Sequence, residues 1–172
     1  MIKLPLSHEL NCTPEIFWKI FFDQEFNSRL YLDYLGFPEF KNLEQRETET
    51  QTIRKVMGQP KMNMPAPVMK LLGSNFRYTE DGTLDKATMT WRWKLTPSAL
   101  ADKLRNEGTL RCEPVGDRRC RRIVELVMEA KVFGLGGLLE SSTEKQMREG
   151  WDKSAVFMNK WIAENGLAAN AS

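Results

Sequence analysis

The chain has 172 residues, 41% of them hydrophobic and 28% charged, enough to bury one sizeable core. Its 25 basic and 23 acidic side chains leave a formal charge of +2, so no strong field and no nucleic-acid partner is expected. No run approaches the roughly 20 apolar residues of a membrane-spanning helix, which predicts a soluble protein and leaves only transient membrane-surface contact open.

Residues 2–11 alternate so that Ile2, Leu4, Leu6, His8 and Leu10 share one face of a strand. Thr13-Pro14-Glu15 is a helix start, with Thr13 as N-cap and Pro14 at the first helical position. That helix carries Ile16, Phe17, Ile20 and Phe21. A second short helix over 24–35 presents Phe26, Leu30, Tyr34 and Leu35 and stops at Gly36. Segments 40–48 and 51–58 pair as half-solvated strands. Pro60, Pro65 and Pro67 keep 59–73 out of any central strand, with one helical turn at 68–72.

Asp81-Gly82 reads as the turn of a hairpin between 75–80 and 87–95. In its second strand Met89, Trp91, Trp93 and Leu95 share a face. A second hairpin joins 108–113 to 119–133 through residues 114–117, with Cys120, Arg122, Val124, Leu126, Met128, Ala130 and Val132 on one side. The longest helix spans 138–164, its stripe formed by Leu139, Met147, Trp151, Ala155, Met158 and Ile162. Glu140 in its first turn suits the helix dipole. Residues 1–166 read as a single domain and 167–172 as a frayed tail.

Cys12, Cys112 and Cys120 are an odd set without CxxC spacing, and no leader-like start is visible. Reduced thiols and a cytoplasmic location are the expectation. His8, the lone histidine, is a poor metal site, and no metal or cofactor is expected. No phosphate loop or nucleophile elbow is present.

One apolar sheet face needs a cover, and only the last helix is long enough to supply it. This order, with the FGLGG turn leading into LLESSTEKQMREGWDKSAVFMNKWI, resembles the START-like, or Bet v 1-like (SRPBCC), superfamily of helix-grip proteins. MPAPVMKLLG and TMTWRWKL are most similar to a bacterial family of domains of unknown function. The resemblance implies an α+β helix-grip fold, in which a curved antiparallel sheet of six to seven strands wraps a long C-terminal helix. It also implies a cavity, in a superfamily of lipid and sterol carriers, hormone receptors, quinone-binding proteins and polyketide cyclases.

Met89, Trp91, Trp93, Leu126 and Met128 on strands, with Met147, Trp151 and Met158 on the helix, either line that cavity or fill the core themselves. Arg122 either faces a ligand's acidic group at the cavity end or belongs to a solvated hairpin tip. Residues 59–73, with Met57, Met62, Met64 and Met69 close by, form either a gate that touches membranes or a plain connection. The leading expectation is non-catalytic binding or transport of a hydrophobic small molecule or lipid. The alternatives are a cyclase- or hydrolase-like enzyme drawing on His8, Arg122 or Glu47, and an interaction module with no ligand.

Overall fold

The computed structural model describes residues 1–168. Strand β1 (Ile2–Leu10) leads into α1 (Pro14–Phe22) and α2 (Gln24–Ser28). Strands β2 (Glu39–Glu47) and β3 (Gln51–Gln59) precede α3 (Ala66–Leu72). Strands β4 (Tyr78–Asp85), β5 (Thr90–Pro97), β6 (Leu104–Val115) and β7 (Arg119–Ala130) follow, and α4 (Gly136–Glu164) closes the fold. The seven strands form one curved antiparallel sheet in the order β1-β7-β6-β5-β4-β3-β2. The helix-grip architecture read from the sequence is therefore the fold of the chain.

Local chemistry sets the element ends. Thr13 Oγ1 accepts from the Ile16 amide at 3.4 Å, and Asp23 caps α2 by accepting from Phe26 N at 2.7 Å. Beyond Ser28 the helix widens into a π-type stretch, Arg29–Tyr34, where Leu35 N reaches Leu30 O at 2.8 Å. Gly36, at φ 71°, then ends it.

One expected turn is absent. Asp81-Gly82 lies within β4, and the chain reverses instead between Asp85 and Thr90. Gly82 is in the strand because the Trp91 ring lies flat across it. A Cβ there would come within 1.8 Å of Trp91 Cζ2. Trp93 covers Gly108 on β6 in the same way, with its ring 2.7 Å from where a Cβ would be. The two indoles thus carpet the sheet, and the glycines are the room they need.

The core lies between the inner sheet face and the helices. Leu4, Leu10, Leu110, Val124 and Leu126 from the sheet meet Phe17, Phe26, Met158 and Ile162 from the helices, all at most 2% exposed. Each such side chain contributes about 1.5–3 kcal/mol by leaving water. The 29-residue helix α4, about 43 Å long, packs on β1 and β7. Asn159 fastens it to the end of β1, accepting from Asn11 N at 2.9 Å and donating to Glu9 O at 3.2 Å. Glu140 lies beyond the first turn of α4 and accepts from the Ala130 amide at 2.9 Å, so it ties the helix start to β7 rather than serving the dipole. In the C-terminal segment expected to fray, Leu167 packs on the core and donates its amide to Ile162 O at 2.9 Å. The rest of that segment, 169–172, lies outside the described residues.

Gly82→Ala should destabilise the fold by about 3 kcal/mol or more through overpacking. Adding Trp91→Phe to that variant should restore part of the loss. Equilibrium denaturation of the single and double variants checks this, and an unaffected Gly82→Ala protein would contradict it.

Candidate functional site

The sheet's inner face takes one side chain in two from each strand, and its register decides what faces α4. From β4 come Tyr78 and Glu80, from β5 Leu95, and from β6 Asn106, which lies between Leu95 and Met128. Because α4 sits on β1 and β7, these groups lie beside it rather than beneath it. Leu95, Asn106, Tyr78 and Glu80 keep accessible surface. So do Met147 and Trp151 of α4 and Tyr31 of the π-type stretch. Trp93 and Trp151 meet with centroids 6.0 Å apart and fill the middle of the hollow between sheet and helix.

The polar members of this face carry the chemistry. Glu80 retains 18% of its side-chain surface, and its carboxylate stands 3.8 Å from Arg54 Nη2. Burial raises its pKa, and the Arg54 charge opposes that rise. Burial, reinforced by Glu80, pushes the Tyr31 hydroxyl up to about 12, and burial raises Tyr78 as well. Both phenols therefore stay neutral, able to donate and accept. Asn106 Oδ1 and Gln146 Oε1 are buried acceptors with no partner among the described residues.

Arg54, 6% exposed, donates from Nη1 to Phe21 O at 2.7 Å and packs its guanidinium 4.4 Å over the Phe21 ring and 5.1 Å over Trp91. Phe21 O also accepts from Asn27, and Phe22 O accepts from Gln45 at 2.9 Å, so these two open carbonyls at the end of α1 are met. A pocket of about 270 Å³ between α2 and the β2–β3 edge reaches this point, lined by Asn27, Ser28, Phe40, Asn42, Arg54 and Val56.

A second polar group lies under α4. Arg122, 3% exposed, donates to Ser154 Oγ at 3.0 Å, to Trp151 O at 2.9 Å and to His8 Nδ1 at 3.1 Å, with its guanidinium 4.8 Å from the Trp151 ring. An arginine can only donate, so Nδ1 is the acceptor and the Nε2–H of His8 points to Asp152 Oδ1 at 2.7 Å. Both ring nitrogens are taken, which leaves His8 no free position for base catalysis. The solvated-tip account fails for Arg122 and holds for Arg119 and Arg121, which are exposed and paired with Glu9.

The expected lining residues divide. Trp91, Trp93, Leu126, Met128 and Met158 are at most 6% exposed and form core, whereas Met147 and Trp151 keep accessible surface. Met89 is a correction: it sits in the β4–β5 turn at φ 50° and is 40% exposed, outside the strand. Glu47 is also outside the hollow, exposed at 71% and paired with Lys86. Tyr31, Tyr78, Glu80, Asn106 and Arg54 were not singled out from sequence. Only the alternation within 78–85, once its central Gly82 is accepted as strand, could have found Tyr78 and Glu80.

Sequence spacing separated the three cysteines, but the sheet brings them together. Cys112 and Cys120 are diagonal neighbours on β6 and β7, and Leu10, two residues before Cys12, faces Cys120. All three are free thiols. Hydrogen bonds from Cys112 and Cys12 hold the Cys120 thiol low. Among the described residues, no group of three or more His, Cys, Asp or Glu side chains is placed to hold a metal. No helix among them is long and apolar enough to cross a membrane.

A seven-stranded sheet gripping a long final helix is the START-like, or Bet v 1-like, fold. Solved structures agree with this assignment. A protein from Thermus thermophilus is 19% identical, with TM-score 0.66, covering 95% of this chain and 99% of its own. A START superfamily protein from Mycobacterium smegmatis is 14% identical, with TM-score 0.57 and coverage of 94% and 97%. Norcoclaurine synthase from Thalictrum flavum, solved with dopamine and hydroxybenzaldehyde, is 14% identical, with TM-score 0.60 and coverage of 95% and 88%. No curated protein matches the chain. The chain belongs to the family described as "Protein of unknown function (DUF2505)", whose model matches residues 6–162.

The His8 network gives stability a pH dependence. Burial lowers the His8 pKa below its usual 6.5 and Arg122 lowers it further, against the opposing effect of the hydrogen bond that His8 donates to Asp152. The unfolded chain thus binds a proton that the folded chain refuses. This contribution is complete above about pH 6.5 and is lost as pH falls through the folded value. Denaturation at about pH 7 and about pH 5 should show a smaller loss for His8→Gln than for the parent, and equal losses would contradict the argument.

Proposed function

We propose that the hollow beside α4 binds a small molecule with an apolar body and at least one hydrogen-bonding group, without transforming it. The observation that carries this reading is the accessible surface kept by Leu95, Tyr78, Glu80, Met147 and Trp151 on the inner face, next to a helix that packs mainly on β1 and β7. A filled core would leave these side chains no such surface. Leu95, Met147 and Trp151 supply apolar and polarizable contact. Glu80, Tyr31 and Tyr78 supply donors and acceptors that fix orientation. We place the way in at the pocket beside Arg54 and Val56, because Arg54 stands 3.8 Å from Glu80. Transport of the bound molecule, rather than storage or sensing, belongs to the same proposal. The free thiols suit a reducing compartment, in keeping with a cytoplasmic carrier.

Glu80 favours one second reading. A carboxyl whose pKa is raised inside a pocket can give up a proton to a bound substrate, which is the chemistry of an enzyme built on the same site. In that case the molecule extracted from the protein would be a product. Fresh protein would convert its precursor, and Glu80→Gln would abolish the conversion.

Native mass spectrometry of protein purified from cells should reveal a bound compound with both apolar and polar groups. Leu95→Trp, which occupies the hollow, should lower its affinity by about tenfold or more, equivalent to about 1.4 kcal/mol. A protein that carries and takes up nothing, or one whose binding ignores Leu95→Trp, would remove this reading.

A further inference from the structure

One end of the molecule is apolar out to its surface. There α3, the β5–β6 loop, the end of β7 and the start of α4 share a small core of Val68, Leu72 and Leu139, edged by the part-buried Met64, Leu71, Leu100 and Val132. The backbone joins these parts, with Lys131 N donating to Lys103 O at 2.9 Å. Next to this cluster, Phe133 in the turn from β7 into α4 is fully exposed, and Leu138 in the first turn of α4 is 39% exposed. Burial elsewhere in the fold gives a phenylalanine no reason to stand wholly in water.

Three of the four elements of the cluster, all but the start of α4, also place a lysine beside their apolar residues. Lys70 precedes Leu71, Lys103 precedes Leu104 and Lys131 precedes Val132, and all three lysines are exposed. Lys131 is 3.6 Å from Glu129, while Lys70 and Lys103 have no carboxylate within 4 Å among the described residues. At the opposite end Arg119 and Arg121 share the carboxylate of Glu9.

We propose that this end docks on an anionic lipid surface, with Phe133 and Leu138 entering the headgroup boundary and Lys70, Lys103 and Lys131 facing lipid phosphates. The exposed lysines beside the apolar residues favour an anionic lipid surface over a protein partner. A stable protein interface buries roughly 1,200 Å² or more, whereas a bilayer needs only a few inserted apolar side chains supported by cations. Met62, in the segment leading to α3, contacts Gln146 of α4, one residue from Met147, so docking here sets the hollow close to the membrane.

The test is cosedimentation with phosphatidylcholine vesicles, with and without phosphatidylglycerol. Binding should appear only with phosphatidylglycerol and should fall as salt screens the lysines. Phe133→Ser should weaken it by about tenfold or more. The triple change Lys70→Gln, Lys103→Gln, Lys131→Gln should weaken it by roughly a hundredfold, at about fivefold for each lysine. Phe133 is exposed, so an unchanged melting temperature for Phe133→Ser would show that the loss is not one of folding. No binding to either vesicle, or anionic binding indifferent to both variants, would overturn the proposal, as would a stable protein partner covering Phe133. Occupancy of the hollow is read separately by mass spectrometry, so either proposal can fail while the other stands.

Discussion

The fold turns on a guanidinium buried without a carboxylate in contact. Taking Arg122 out of water costs several kcal/mol, and burial pulls its pKa down to about 10. Hydrogen bonds to Ser154, the Trp151 carbonyl and His8, together with the Trp151 ring, offset that cost. Two of those partners lie within one turn of α4, and the third lies on β1. A single side chain from β7 thereby fixes the position and rotation of the helix against two strands. Asp152 completes the set through His8, which keeps a counter-charge near without burying it. A helix held this way cannot slide toward β4–β6, and the inner face there stays only partly covered.

That open face joins two kinds of surface. Near α1 it is a dry aromatic layer in which Trp91 meets Phe21 at 5.3 Å and Phe22 at 5.6 Å, with the cation of Arg54 set against the rings. Arg54 holds this layer and caps α1 by the same hydrogen bond to Phe21 O. On the other side are Glu80 and two phenols that stay neutral. At 3.8 Å, Arg54 and Glu80 attract each other but share no direct hydrogen bond, so Glu80 keeps acceptor capacity for a guest. The hollow is therefore amphipathic. On the proposed reading, its guest carries a polar end and is not a bare hydrocarbon chain.

How much of this could be read from sequence depended on how local the cause was. The alternation of β1 and β7, the Thr13 cap and the stripe of α4 are written within a few residues each, and they were legible. The Asp81-Gly82 pair misled because its role is set by Trp91 on the next strand, and a turn and a glycine made for an indole look alike along the chain. Met89 was placed in the strand as a consequence of that shifted boundary. The fate of Arg122 was hidden for a similar reason: whether an arginine at a strand start is solvated or buried depends on His8 and Ser154, more than 30 residues away in each direction. Tyr31 was concealed by the widened helical stretch, which rotates side chains away from their 3.6-residue positions.

Composition hid the charge pattern too. A net charge of +2 says that cations and anions nearly cancel, but cancellation is local only where the register makes it so. Arg119 and Arg121 share the one carboxylate of Glu9 across β1 and β7, and Arg111 pairs with Glu113, so the hairpin tip is less basic in space than in sequence. Such exposed pairs add little stability; their effect is on the field around the molecule. At the Phe133 end, Lys70 and Lys103 have no carboxylate within 4 Å among the described residues, and Lys131 is paired with Glu129. A chain of almost no net charge can thus still present exposed cations that no neighbouring carboxylate answers.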